Sequence, residues 1–189
     1  RSSAVMSVVR KFVTASKDIM FEGNGYSREW EAEAAERGLR PIKNVIEAYE
    51  VYHEQQTLDL FAGLGVLAAN EVEARFEILN ETYVKKLQIE ARIIGDMCLN
   101  HVIPAAVRYQ NILIENIKGI KEIFGNDYLQ YCSSEIDTLK KISTYINNVS
   151  ADVEALVEAR KKANRIESIA LRAKAYSHDV KDMMDKVRV

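Results

Sequence analysis

The chain has 189 residues, of which 48% are hydrophobic and 29% charged, with a net charge of -2. That length is enough for one domain with a sizeable core, and the balance is that of an ordinary soluble globular chain. The near-neutral charge gives no case for a nucleic-acid or membrane-surface protein, no apolar run reaches membrane-spanning length, and no secretory signal is visible, so the cytoplasm is the expected compartment.

With only 8 Gly and 2 Pro, few places can turn sharply. Val5, Val8, Val9, Phe12, Ser16, Ile19 and Met20 recur at helical spacing and predict a first helix over about residues 3–21. "EGNGYS" ends it, Asn24-Gly25 supports a positive φ, and Ser27 is placed to cap a second helix that stops at Gly38. Tyr26 and Trp30 are expected to pin this corner by burying their rings. After the connector "LRPIKN", Asn44 can cap a short helix, and "QQTLDLFAGLGV" reads as another, closed by Gly63 and Gly65.

From Asn70 to Phe124 the helical pattern is interrupted only at Pro104, which predicts a kink or break near His101 to Pro104. "FGND" is the next corner, with Asp127 as a plausible cap. Leu129 to Leu156 then runs at spacings of three and four, as one helix of roughly 50 Å to Lys162. A break is expected around Ala163 to Arg165. Ile166, Ile169, Ala173, Tyr176, Val180, Met183 and Val187 alternate by three and four, which is a heptad seam asking for a partner surface. No strand pattern occurs. The predicted fold is all-α: a bundle of long antiparallel helices preceded by shorter ones. It forms one helical domain over 1–189, with short helices and corners over 1–66 and the long-helix bundle over 67–189.

Chemistry is harder to find. "GNGYSR" does not have the Gly-x4-Gly-Lys-Ser/Thr pattern of a P-loop, and a dinucleotide fingerprint would need a third glycine where Arg28 stands and a strand before it, so the stretch reads as a helix–helix corner. Glu50 and His53 form one Glu-x-x-His pair, but a di-metal bundle needs two such pairs and neither His101 nor His178 supplies the other. Cys98 and Cys132 fit buried free thiols, not a disulfide or a zinc site. Asn80 and Asn148 begin glycosylation tripeptides that have no secretory context to give them meaning. The carboxylates are interleaved with Lys and Arg, as a solvated helix face would be. Tyr49, Tyr52 and Tyr109 are at most a ligand-sensing pocket, and at helical spacing they read first as core. The chain opens on Arg1 in mid-helix character and closes on "MMDKVRV" without a stop signal, so both ends are expected to be cut from something longer.

Two ordered motifs carry a resemblance. "IMFEGNGYSREWEAEAAERGL" and, after "ARFEIL", "IEARIIGDMCLNHVIPAAVRYQ" closely resemble the C-terminal helical region of type III glutamine synthetases. The matching positions are Asn24, Gly25, Tyr26, Ser27 and Trp30, then Arg37 to Leu39, Arg75 to Leu79, Glu90 with Ala91, Asp96 with Met97, Pro104 to Ala106, and Arg108, Tyr109 and Gln110. The match is by motif over residues 12–110 and by helical character and order from Ile112 to Val189. The resemblance implies a piece of an enzyme that joins ammonia to glutamate with ATP and a divalent metal, magnesium being the expected one. The catalytic sheet and its glutamates are expected upstream of Arg1. No catalytic, cofactor-binding or metal-binding residue is therefore carried over to this segment. The partners implied are the upstream catalytic domain of the same chain and, in the full enzyme, further copies. The chain departs from the family by ending without its proline- and aromatic-rich tail. A different class of function is a free-standing helical module whose seam binds a partner helix.

Overall fold

The computed structural model describes residues 2–40 and 42–188. Every regular element among them is helical, and they fall into two compact units, one up to Ala48 and the other from Tyr49. This division lies earlier in the chain than the change from short to long helices.

The first unit contains α1 (Ser2–Ala15), a 3₁₀ turn (Lys17–Ile19), α2 (Arg28–Glu36) and most of α3 (Val45–Glu50). The first helix is shorter than its apolar pattern. Ser16 and Asp18 offer the backbone competing polar partners, and the Arg37 guanidinium donates to the carbonyls of Asp18 and Met20, which a continuing helix would need. Ser27 caps α2 as expected, its Oγ accepting from the Trp30 N–H at 3.2 Å. Gly38, at φ +73°, closes that helix in the left-handed region where a side chain would be strained. Asn44 caps α3, its Oδ1 accepting from the Glu47 N–H at 2.9 Å.

The second unit opens with a 3₁₀ turn (Val51–His53) and α4 (Gln55–Gly63). Then come α5 (Ala69–Met97), a π turn (Cys98–Val102) and α6 (Ile103–Phe124). The interruption predicted at Pro104 is this π turn. Proline at the start of α6 has no N–H to continue the ladder, and the wider turn before it makes room for the ring. A 3₁₀ turn (Gly125–Tyr128) reverses the chain into α7 (Leu129–Asn164), followed by α8 (Ile169–Ala175), a second π turn (Tyr176–Val180) and α9 (Lys181–Arg188). Asp127 lies inside the 3₁₀ turn, and no side chain caps α7. The expected break after Ala163 is present, with Ser168 capping α8.

The core of this unit is a three-helix bundle. Val72, Phe76, Asn80, Val84, Leu87, Ala91 and Gly95 form one buried stripe along α5. It packs against Val153, Leu156 and Ala163 of α7 and against Ala173, Tyr176, Val180, Met184 and Val187 of the last helices. Hydrogen bonds from Tyr176 to Asn164 (2.8 Å) and from Lys186 to Asp152 (2.6 Å) fix α7 antiparallel to α8 and α9. The C-terminal seam is thus spent inside the chain's own bundle and asks for no second copy. Its register also shifts by one. Met184 is buried where Met183 was expected, because the π turn admits an extra residue and rotates the next turn. Beyond the bundle, α6 and the first half of α7 continue as a two-helix arm, joined by a 2.7 Å bond from Gln110 to Ser143 and burying only Leu113 and Cys132. Cys132 departs from helical geometry (φ -139°, ψ 23°), bending α7 near its start, and its Sγ donates to the Tyr128 carbonyl at 3.2 Å.

Two measurements test this core. Asn80 is buried with its Nδ2 bonded to the Phe76 carbonyl, while its Oδ1 has no hydrogen-bond partner among the described residues. Replacing a half-satisfied amide by an apolar group of similar shape removes a desolvation penalty, so Asn80→Leu is expected to stabilise by about 1 kcal/mol and raise Tm, whereas Asn80→Ala lowers it. Burial raises the Tyr176 phenol above its ordinary value, against smaller opposing effects of nearby arginines and the Asn164 bond. The neutral phenol is therefore favoured in the folded state. Its contribution is complete below the ordinary tyrosine value near 10 and is lost as pH rises through the folded value. Thermal melts above that pH should fall more steeply for the native chain than for Tyr176→Phe.

Candidate functional site

A cleft of about 910 Å³ opens between the Glu50–His53 turn, one face of α5 and the start of α8. Glutamates 50, 73, 77, 81 and 167 line it, with His53, Phe76 and Arg172. Three of its five glutamates, Glu50, Glu73 and Glu81, are paired. His53 Nε2 lies 3.0 Å from Glu73 Oε2, with its ring 3.9 Å from that of Phe76. Lys174 pairs with Glu50, and Arg172 Nε donates to the Ile166 carbonyl at 2.8 Å. The Glu50–His53 pair singled out as half a metal site is therefore split between two partners. Among the described residues no three His, Cys, Asp or Glu side chains are placed to hold a metal ion. Tyr49, Tyr52 and Tyr109 do not line the cleft, and Tyr109 stands half exposed on α6.

The first motif forms the corner between α1 and α2. Asn24 Oδ1 accepts from the Tyr26 N–H at 3.0 Å, so an Asx turn shapes the loop. Two expectations fail here. Gly25 does not take a positive φ, because the Asn24 side chain supplies the turn without one. Tyr26 is 99% exposed and pins nothing. Phe21 takes its place, with its ring centroid 4.4 Å from that of Trp30 and Arg37 Cζ 6.0 Å over the indole. Gly23 is what lets Phe21 fold back, since a Cβ there would sit 2.5 Å from the ring.

The second motif spans the end of α5, the π turn and the start of α6. Glu90, Asp96, Met97, Arg108 and Tyr109 are exposed, and Pro104 and Gln110 are half-buried. Asp96 accepts from Asn100 at 2.6 Å across the π turn, and Gln110 holds the arm to α7. The structure gathers the five corner residues in one unit and these seven in the other. Sequence reasoning missed the packing of Phe21 and Arg37 on Trp30, although both flank the quoted corner and an aromatic and an arginine near the single tryptophan were a visible signal. Cys132 is buried as expected, Cys98 only partly, and both are free thiols. Burial raises the Cys98 thiol above its ordinary value, which favours the thiol over the thiolate.

The glutamine synthetase C-terminal domain family matches residues 4–121. The chain belongs to the glutamine synthetase C-terminal domain family. A glutamine synthetase of Bacteroides fragilis (strain YCH46) is 36% identical over 189 residues, covering 100% of this chain and 26% of that protein. One from Butyrivibrio fibrisolvens is 29% identical over 97% of the chain and 26% of its own length. A type-3 glutamine synthetase of Dictyostelium discoideum is 28% identical over 86% of the chain and 21% of its own length. The chain thus spans about a quarter of the length of the curated relatives it matches. No helix among the described residues is long and apolar enough to cross a membrane.

For a glutamine synthetase C-terminal domain the donor chemistry is informative. ATP with a divalent ion needs convergent, unpaired carboxylates. The acid-lined cleft has its Glu50 and Glu73 committed to Lys174 and His53, and among the described residues no group of three donors is placed to hold a metal ion. These residues do not fit the group.

The corner can be tested with Trp30, the chain's one tryptophan. Gly23→Ala should push the Phe21 ring off the indole and shift Trp30 emission to longer wavelength. Tyr26→Ala should leave the spectrum unchanged. Equal shifts from both would show that the ring pairing described above is wrong.

Proposed function

We propose that this chain is the helical C-terminal segment of a glutamine synthetase. In this reading the ATP-dependent ligation of ammonia to glutamate is performed by a catalytic region outside these residues. That region holds ATP and magnesium, and the segment braces it and takes part in a cytoplasmic homo-oligomer.

The observation that carries the bracing role is α1. It is a helix of 14 residues with no buried apolar side chain, although Val5, Val8, Val9, Phe12 and Val13 recur on it and Phe12 is 67% exposed. An isolated helix of this length is marginal in water, and its apolar face must be covered to hold it. Nothing in its own unit covers it. About three quarters of the relatives' length lies outside the matched segment, and that missing chain is the natural cover.

The test uses the full-length polypeptide that carries these residues. It should form glutamine from glutamate, ammonia and ATP with magnesium. Phe12→Glu should lower its Tm and its specific activity, with KM for ATP and glutamate little changed, because the buried charge loosens a brace and not a substrate site. In the 189-residue chain alone the same change should leave helicity intact. A full-length polypeptide without synthetase activity would refute the reading of the parent enzyme. An active one indifferent to Phe12→Glu would refute the brace.

A further inference from the structure

The two-helix arm leaves one helix with two apolar stripes and one partner. The stripe of α6 that includes Leu113 and Phe124 is used, the first buried against α7 and the second stacked on Tyr131 at 4.1 Å. A second stripe runs beside it: Ala105, Tyr109, Ile112, Asn116, Gly119 and Ile123, spaced by four, three, four, three and four residues. That is heptad spacing over the length of the arm. It is open to solvent, with Ile112 64% and Ile123 77% exposed. Nothing about a single copy requires a second seam.

The order of residues along this stripe identifies what covers it. We propose that α6 pairs antiparallel with α6 of a second copy of this chain, about a two-fold axis at the level of Ile114. An antiparallel pair in this register sets Tyr109 opposite the partner's Gly119, Ile112 opposite the partner's Asn116, and Ala105 opposite the partner's Ile123. Each large side chain then meets a small or compact one, so the helices approach closely without voids. A parallel pair would stack Tyr109 on the partner's Tyr109 and leave a gap at Gly119.

The flanking charges agree with the same register. Arg108 and Glu122 each precede a seam residue and flank the seam on one side, so Arg108 reaches the partner's Glu122 diagonally, and by symmetry the contact occurs twice. Neither Arg108 nor Glu122 makes an ion pair within the described residues, and both are exposed. The like charges brought closest beside the axis are the two copies of Glu115, each already neutralised by Lys118 at 2.7 Å. The seam is about 28 Å long at 1.5 Å per residue. It buries less than the roughly 800 Å² per partner of a standard interface, so the pairing is reversible in isolation and gains from multivalency when many copies are held in one assembly. The inference deepens the assembly role proposed above and rests on it only for the biological use of the contact.

The test is sedimentation equilibrium of the 189-residue chain over a wide concentration range. A reversible monomer–dimer equilibrium is expected. Arg108→Glu alone, or Glu122→Arg alone, should weaken the dimer about tenfold or more, since each turns two attractive contacts into repulsive ones. The double variant R108E/E122R should bring Kd back to within about threefold of the native chain. Both positions are solvent-exposed, and circular dichroism checks that each variant folds. Independently, Glu115→Cys in a Cys98→Ser background should form a disulfide-linked dimer on mild oxidation. A chain that stays monomeric throughout overturns the proposal. So does a dimer whose Kd ignores both reversals, which would place the contact on another face. Loss of assembly in the full-length polypeptide on deleting this segment, with no effect of the reversals, would leave the assembly role standing and remove α6 as its surface.

Discussion

The whole second unit depends on keeping the buried stripe of α5 covered on two sides. Val72, Phe76, Val84 and Leu87 lie on that stripe, and burying side chains of this size contributes roughly 1.5–3 kcal/mol each. A helix of 29 residues presents the stripe over its full length, and one neighbour covers only one flank of it. The antiparallel α7 takes one side, and α8 with α9 takes the other. At the far end the stripe narrows to Ala91 and Gly95, and a side chain added at Gly95 would meet Val153 at 3.6 Å. Small residues there bring α7 in close, which is where three helices give way to two.

That transition explains the arm. Past the π turn no third helix remains, so α6 and α7 bury only what faces each other. The π turn, the proline after it and the bend at Cys132 mark a helix pair leaving a bundle and re-aiming its stripes. A π turn advances the pattern by one residue, so it changes which face of the helix is apolar outward. Tyr109 and Ile112 face solvent on one side of this turn while Ala91 and Gly95 are buried on the other.

Much of this was legible in the chain. The helical periods, the caps at Ser27 and Asn44, the interruption at Pro104 and the break after Ala163 are local effects of residue type, and local effects can be read in order. The failures were of two kinds. Met184 replaced Met183, and α1 ended at Ala15, because a π turn and a distant arginine changed hydrogen bonding in ways no apolar pattern records. Tyr26 was expected inside and lies outside, because Phe21 reached the indole first through the space at Gly23. Periodicity says that a face is apolar and not which element covers it. The C-terminal seam was read as asking for a partner surface and is filled by the chain itself, while the α6 stripe, its residues diluted by Asn116 and Gly119, went unremarked.

The motif positions separate two demands on the sequence. None of Asn24, Gly25, Tyr26, Ser27, Trp30, Glu90, Asp96, Met97, Pro104, Arg108, Tyr109 and Gln110 is buried, so the hydrophobic core does not require their identities. Some have a local reason: Ser27 caps, Asn24 turns, Pro104 sets the π turn, and Gln110 ties the arm. Tyr26, Glu90, Arg108 and Tyr109 have no such reason within the described residues. A tyrosine ring left almost wholly in water costs more in solvation than an alanine would, and folding gains nothing from it. These positions lie in both units, Tyr26 at the corner after α1, Glu90 on α5, and Arg108 and Tyr109 on the arm.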